Sequence, residues 1–67
     1  MEKTAPTLLK EWLSTEGRKI NWLAAKVEAD RATVSLWING HQMPRLDARE
    51  RLESVTGLPV AHEGAWL

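Results

Sequence analysis

Apolar positions recur every three or four residues along most of this 67-residue chain, without sustained alternation. That spacing predicts helices rather than strands. A first segment, roughly Pro6 to Glu16, places Leu9, Trp12 and Leu13 at i, i+3 and i+4. Pro6 suits an opening turn and Gly17 a stop just past the end. A second, roughly Ile20 to Val27, stripes Ile20, Leu23, Ala24 and Val27. A third, roughly Arg31 to Asn39, stripes Val34, Trp37 and Ile38, and Gly40 and Pro44 would end it. A fourth, roughly Leu46 to Thr56, stripes Ala48, Leu52 and Val55. Gly57 stands where a left-handed residue closes such a helix, with Leu58 beside it for the accompanying apolar contact. The tail, residues 58–67, has no clear period. Val60 and Trp66 are expected to pack back on the body.

Four short helices with tight connections imply one all-α domain over residues 1–67. Helices of this length are marginal alone, so tertiary packing must hold them. Only Glu28, Ala29 and Asp30 separate the second segment from the third. So short a joint forces the two helices to cross steeply. Ala24 is small enough to permit a close crossing, and Asp30 is expected to cap the third helix. Trp12 and Trp37 read as core. Trp22 lies off the buried stripe, where it either packs on Trp12 or the tail, or meets a partner copy, since tryptophan favours interfaces.

The chain has no cysteine, which excludes disulfides and thiolate metal sites and suits a reducing cytoplasm. No apolar run approaches the roughly 20 residues that span a membrane, and no signal-peptide pattern opens the chain. His41 and His62 are far apart, and His62 with Glu63 offers two neighbouring ligands and nothing more, so no metal is expected. No glycine-rich phosphate loop or nucleophile motif appears. Neither enzymatic activity nor a cofactor is expected.

Nine basic and nine acidic residues give a net charge of zero, which counts against nucleic-acid binding, since such domains are often basic overall. The distribution changes the picture. Between Gly17 and Arg51, seven basic residues stand against four acidic ones, a local balance of +3, and the ends hold the compensating −3. A basic face therefore remains available. Within it Lys19, Arg45 and Arg49 read equally as surface charges, with Arg49 or Arg51 paired to Glu50 or Glu53.

The stretch "INWLAAKVEADRATVSLWINGHQMP", residues 20–44, resembles the Cro/repressor-type helix-turn-helix of phage and bacterial transcription regulators (the xenobiotic-response-element-like family). The resemblance is carried by Leu23-Ala24, Val27 and Ala29 around the turn, Val34 and Trp37 after it, and the exit through Asn39-Gly40 to Pro44. It extends from about Leu8 to Thr56, and "TGLPV" with a late tryptophan also recurs in some members. Two positions depart from the family pattern. Glu28 holds a turn position that is often glycine. Lys19 and Ile20 replace a small polar cap and a glutamine.

The resemblance implies a compact four- to five-helix, lambda-repressor-like DNA-binding domain, with its motif at about 20–39. It implies a cytoplasmic, repressor-like transcription regulator that reads the major groove of double-stranded DNA with the helix at 31–39. Arg31, Ala32, Ser35 and Leu36 would meet base edges. Arg31 suits guanine, and Ala32 and Leu36 suit thymine methyl groups. Lys19, Asn21, Thr33, Asn39, His41, Gln42 and Arg45 would contact the sugar–phosphate backbone. A single copy reads few base pairs, so a homodimer on a two-fold operator is expected, with Val60, Trp66 and Leu67 as its first candidate interface. No small-molecule ligand is expected. The competing reading is a protein-interaction module of the same fold, such as an antitoxin or adaptor, docking through Leu36, Ala32 and Trp22 without reading bases. Asn39 read blandly only helps to end its helix.

Overall fold

Among the described residues, three of the four helices end on a glycine, and the exception is the second, at the joint to the third. The computed structural model describes residues 3–67, and Glu2, counted above in the acidic N-terminal end, lies outside the described residues. Among the described residues the order is α1 (Ala5–Glu16), α2 (Ile20–Lys26), α3 (Arg31–Ile38), α4 (Leu46–Thr56) and a closing 3-10 turn (Glu63–Trp66), with no strand. Each predicted helical segment is present, with boundaries within a residue. The 3-10 turn lies in the tail that sequence spacing left without a period.

The stripes meet in one core. Ala5, Leu9 and Leu13 of α1, Leu23 and Ala24 of α2, Val27, the α3 trio Val34, Trp37 and Ile38, Leu52 of α4 and Val60 of the tail are all buried. Fully burying a side chain of this kind contributes about 1.5–3 kcal/mol, and this offsets the weak propensity of helices only seven to twelve residues long. Helix α3 lies centrally, packed by both α1 and α2, while the 3-10 turn closes against α1. Trp12, read as core, is only half-buried. It stacks on Trp22 at the core's rim, ring centroids 5.9 Å apart and planes at 29°.

After α1, α2 and α3, the chain makes the same pair of closing hydrogen bonds. At the end of α3 the His41 N–H donates to the Leu36 carbonyl (2.9 Å) and the Gly40 N–H to the Trp37 carbonyl (3.1 Å). At the end of α2 the Ala29 N–H donates to the Ala24 carbonyl (3.0 Å) and the Glu28 N–H to the Ala25 carbonyl (3.4 Å). This double closure requires a left-handed residue between the two donors. Gly40 supplies it at φ 76°, whereas at the α2 end Glu28 supplies it at φ 57°. Glu28 is the only non-glycine with positive φ among the described residues. A side chain in that region costs roughly 1–2 kcal/mol. The Glu28 carboxylate recovers little: its contact with Arg51 spans 3.8 Å between exposed groups, and such pairs contribute about 0–1 kcal/mol.

Glu28→Gly is therefore expected to stabilise the fold. The relieved strain exceeds the roughly 0.4–1 kcal/mol of extra backbone entropy that glycine brings to the unfolded chain. A net gain of about 0.5–1 kcal/mol corresponds to about 2–8 °C in Tm for a domain of this size. A thermal melt in which the variant is less stable than the parent would show that Glu28 carries no strain.

Several polar residues serve differently from the sequence reading. Asp30 takes the extended backbone of a capping residue (φ −71°, ψ 147°), but its carboxylate makes no bond to the α3 amides. Arg49 is neither a surface charge nor the partner of a glutamate. It is buried, 9% exposed, with Nε donating to the Ala61 carbonyl (2.9 Å) and a terminal nitrogen to the Pro44 carbonyl (2.8 Å). It thus ties the loop after α3 to the tail. Glu53 accepts instead from the Ala61 N–H (3.2 Å). Arg49 faces inward because it shares a helix face with Leu52, three residues on.

The tail is held by the same device. Trp66 donates its indole N–H to the Val60 carbonyl (2.8 Å). Val60 is fully buried in the chain's own core. This corrects its place in the candidate dimer interface: a side chain with no exposed surface has none to offer a partner. Trp66 is half-buried. Leu67 is exposed. No helix among the described residues is long and apolar enough to cross a membrane.

Candidate nucleic-acid interface

Helix α3 is amphipathic over eight residues, with one side buried and the other exposed. Val34, Trp37 and Ile38 hold it to the body. Arg31, Ala32 and Leu36 stand on the outer side, with Leu36 41% exposed. Thr33 and Ser35 are half-buried at the margins. An exposed leucine alone is ordinary. Here Ala32 lies one turn before it on the same side, so the two make a small apolar strip bordered by Arg31.

The end of α3 is locked locally. The Asn39 side-chain amide donates to the Ser35 carbonyl (2.9 Å) and to the Ser35 hydroxyl oxygen (3.3 Å). Its N–H groups are turned to the helix end, so Asn39 helps to end α3. The Ser35 hydroxyl accepts this bond and keeps its own proton for a further acceptor.

Other candidate residues are gathered by the tertiary fold. Lys19 and Asn21 from the start of α2, with Arg31 and Asn39 from the two ends of α3, line one cleft of about 570 Å³. Its floor is apolar: Leu13, Ile20 and Ile38. Two further cations line it that the sequence reading did not single out, Lys10 of α1 and Arg18 of the connection to α2. Their signal lay only in being basic near Gly17. Nothing in the local pattern says that α1 delivers Lys10 beside α3. His41 and Gln42 belong elsewhere, in a smaller cleft of about 210 Å³ beside Met43 and Trp66. Arg45 is exposed at the start of α4. The fold thus draws Lys19, Asn21, Arg31 and Asn39 together, and leaves His41, Gln42 and Arg45 as a separate group after α3.

The charge on this side is a matter of arrangement. Arg49 is withdrawn into the interior. Lys3 is paired with Glu11 and Arg51 lies near Glu28. Lys10, Arg18, Lys19 and Arg31 line the cleft with no acidic residue among its described lining. Among the described residues there is no group of three or more metal-ligating side chains. Comparison with protein-family models, with curated proteins and with solved structures finds no match for this chain.

Proposed function

We propose that the chain is a sequence-specific double-stranded-DNA-binding regulator of transcription, repressor-like, in which α2 and α3 act as a helix-turn-helix and α3 enters the major groove. The observation that carries this reading is the two-sided α3: one side pinned by Val34, Trp37 and Ile38, the other presenting Arg31, Ala32 and Leu36 beside a basic cleft. A rigidly held helix with a cation at its first turn and small apolar groups behind it suits base edges. Arg31 reaches guanine O6 and N7, and Ala32 and Leu36 meet thymine methyl groups. Lys19, Asn21 and Arg45 hold the flanking backbone, and such contacts set register without reading sequence. Acting as a homodimer, the protein would read two half-sites about one helical turn, roughly 34 Å, apart.

Selection of bound sequences from a random duplex pool tests the reading. A recovered consensus with two-fold symmetry is expected, and a pool that stays unenriched after repeated rounds would refute sequence-specific binding. On the selected duplex, Arg31→Ala is expected to cost about 1–3 kcal/mol and relax preference at one base pair. Arg45→Ala should weaken binding evenly across sequences and lower the salt slope by about one unit. An Arg31→Ala protein that loses salt dependence but keeps its base preference would move Arg31 to the backbone group.

The alternative is a protein-interaction module, supported by the zero net charge and by exposed Leu36, Met43 and Leu46. Duplex titrations at two salt concentrations separate the two. Phosphate neutralisation makes DNA affinity fall steeply with salt, and a protein-docking face shows no such binding at all.

A further inference from the structure

We infer that Lys10, Arg18 and Lys19, in the cleft that the base-reading Arg31 also lines, form a seat for a DNA phosphate, and that Trp22 is the positioning residue that holds Arg18 there. This rests on the DNA reading above and extends it to α1, outside the two-helix motif. Four cations from α1, the α1–α2 connection and α3 converge on one cleft with no carboxylate among its described lining. They do so in a chain whose acidic and basic residues are equal in number, so chance would have placed acids among them. Like charges gathered on a concave surface reinforce one another's field and draw anions in. The apolar floor of Leu13, Ile20 and Ile38 suits the carbon atoms of a sugar–phosphate chain.

Trp22 was the residue least explained by sequence, and the cleft gives it a task. The Arg18 guanidinium carbon lies 4.5 Å from the Trp22 ring centroid. An arginine side chain loses much rotamer freedom when it binds. Stacked on an indole face it has lost part of that freedom already, and guanidinium favours such faces. Trp22 is steadied in turn by its stack on Trp12. Lys26 also approaches the Trp22 ring, at 5.7 Å, but it does not line the cleft, so it serves as an internal control.

The test measures affinity for the pool-selected duplex between 50 and 200 mM salt. Lys10→Gln and Arg18→Gln should each lower the slope of log affinity against log salt by about 0.9. Each variant's affinity would then fall about 3.5-fold less than the parent's over that range, with sequence preference kept. Lys26→Gln should leave the slope unchanged. Trp22→Leu should lower it, and should add little to Arg18→Gln in the double variant. Trp22→Phe, which retains a ring, should restore the parental slope. Circular dichroism melts establish that each variant is folded. Unchanged slopes in Lys10→Gln and Arg18→Gln on a duplex that the parent binds would overturn the seat alone. Full additivity of Trp22→Leu with Arg18→Gln would overturn the positioning role. Failure of the parent to bind any duplex at 50 mM salt would overturn the DNA reading and the seat with it.

Discussion

Trp37→Ala is expected to lower the unfolding free energy by about 3–5 kcal/mol, the range for truncating a buried tryptophan. A domain of 67 residues has roughly 3–10 kcal/mol in total at typical stabilities per residue, so this one change should leave much of the chain unfolded at ambient temperature. The reason is position. Trp37 is 5% exposed on the helix that both α1 and α2 pack against. Trp37→Phe should behave quite differently. The Trp37 indole N–H is buried with no acceptor among the described residues, and an unpaired buried donor costs about 1–3 kcal/mol. Phenylalanine gives up apolar area but removes that donor, so the net loss should stay within about 1 kcal/mol by the same figures. Urea titrations of both variants would decide it. An alanine variant within 1 kcal/mol of the parent would show that α3 is not anchored through this ring. Leu36→Ala, one residue away on the outer side, should change stability by no more than about 0.5 kcal/mol, which separates the anchoring side of the helix from its exposed side.

Arg49→Ala carries the second large effect, a loss of about 2–4 kcal/mol. Two hydrogen bonds from a buried guanidinium to carbonyls contribute about 1.5–3 kcal/mol each, partly offset because the buried charge and its desolvation cost disappear too. What remains is two carbonyls without donors and a gap between the loop at Pro44 and the tail at Ala61. The domain should melt about 8–30 °C lower, at 4–8 °C per kcal/mol. Arg49→Lys should recover only part of this, since a single ammonium lacks the planar fork that spans both carbonyls. Hydrogen exchange at the tail amides would localise the effect: Ala61 and Ala65 should lose protection before the α1 and α3 amides do. Equal loss everywhere would mean that Arg49 supports the whole core rather than clamping the tail.

These two residues show where local pattern stops being informative. Trp37 was legible because its spacing with Val34 and Ile38 repeats at a helical interval, and burial of that stripe follows from hydrophobic periodicity alone. Arg49 was not. In the run Ala48-Arg49-Glu50-Arg51 each charged residue looks equally suited to solvent, and only the docking of α4 selects which one turns inward. Val60 and Trp66 pack back on the body as expected, but the route of the tail that takes them there was not legible. A tail without periodicity gives no rule for its path, which is set by a hydrogen bond from Arg49 of α4 to Ala61 and by one within the tail, from Trp66 to Val60.

What sequence alone determined here is local: four helices, their glycine stops at Gly17, Gly40 and Gly57, and the inner and outer sides of α3. Each depends on intervals of three or four residues or on the backbone preference of one residue. The tertiary structure alone decided which cations share a cleft, what Trp22 carries, how Arg49 is used and where the tail lies. Those depend on contacts between stretches whose separation along the chain is unrelated to their distance in space. The gathering of Lys10, Arg18, Lys19 and Arg31 became visible only when α1 and α3 were packed together.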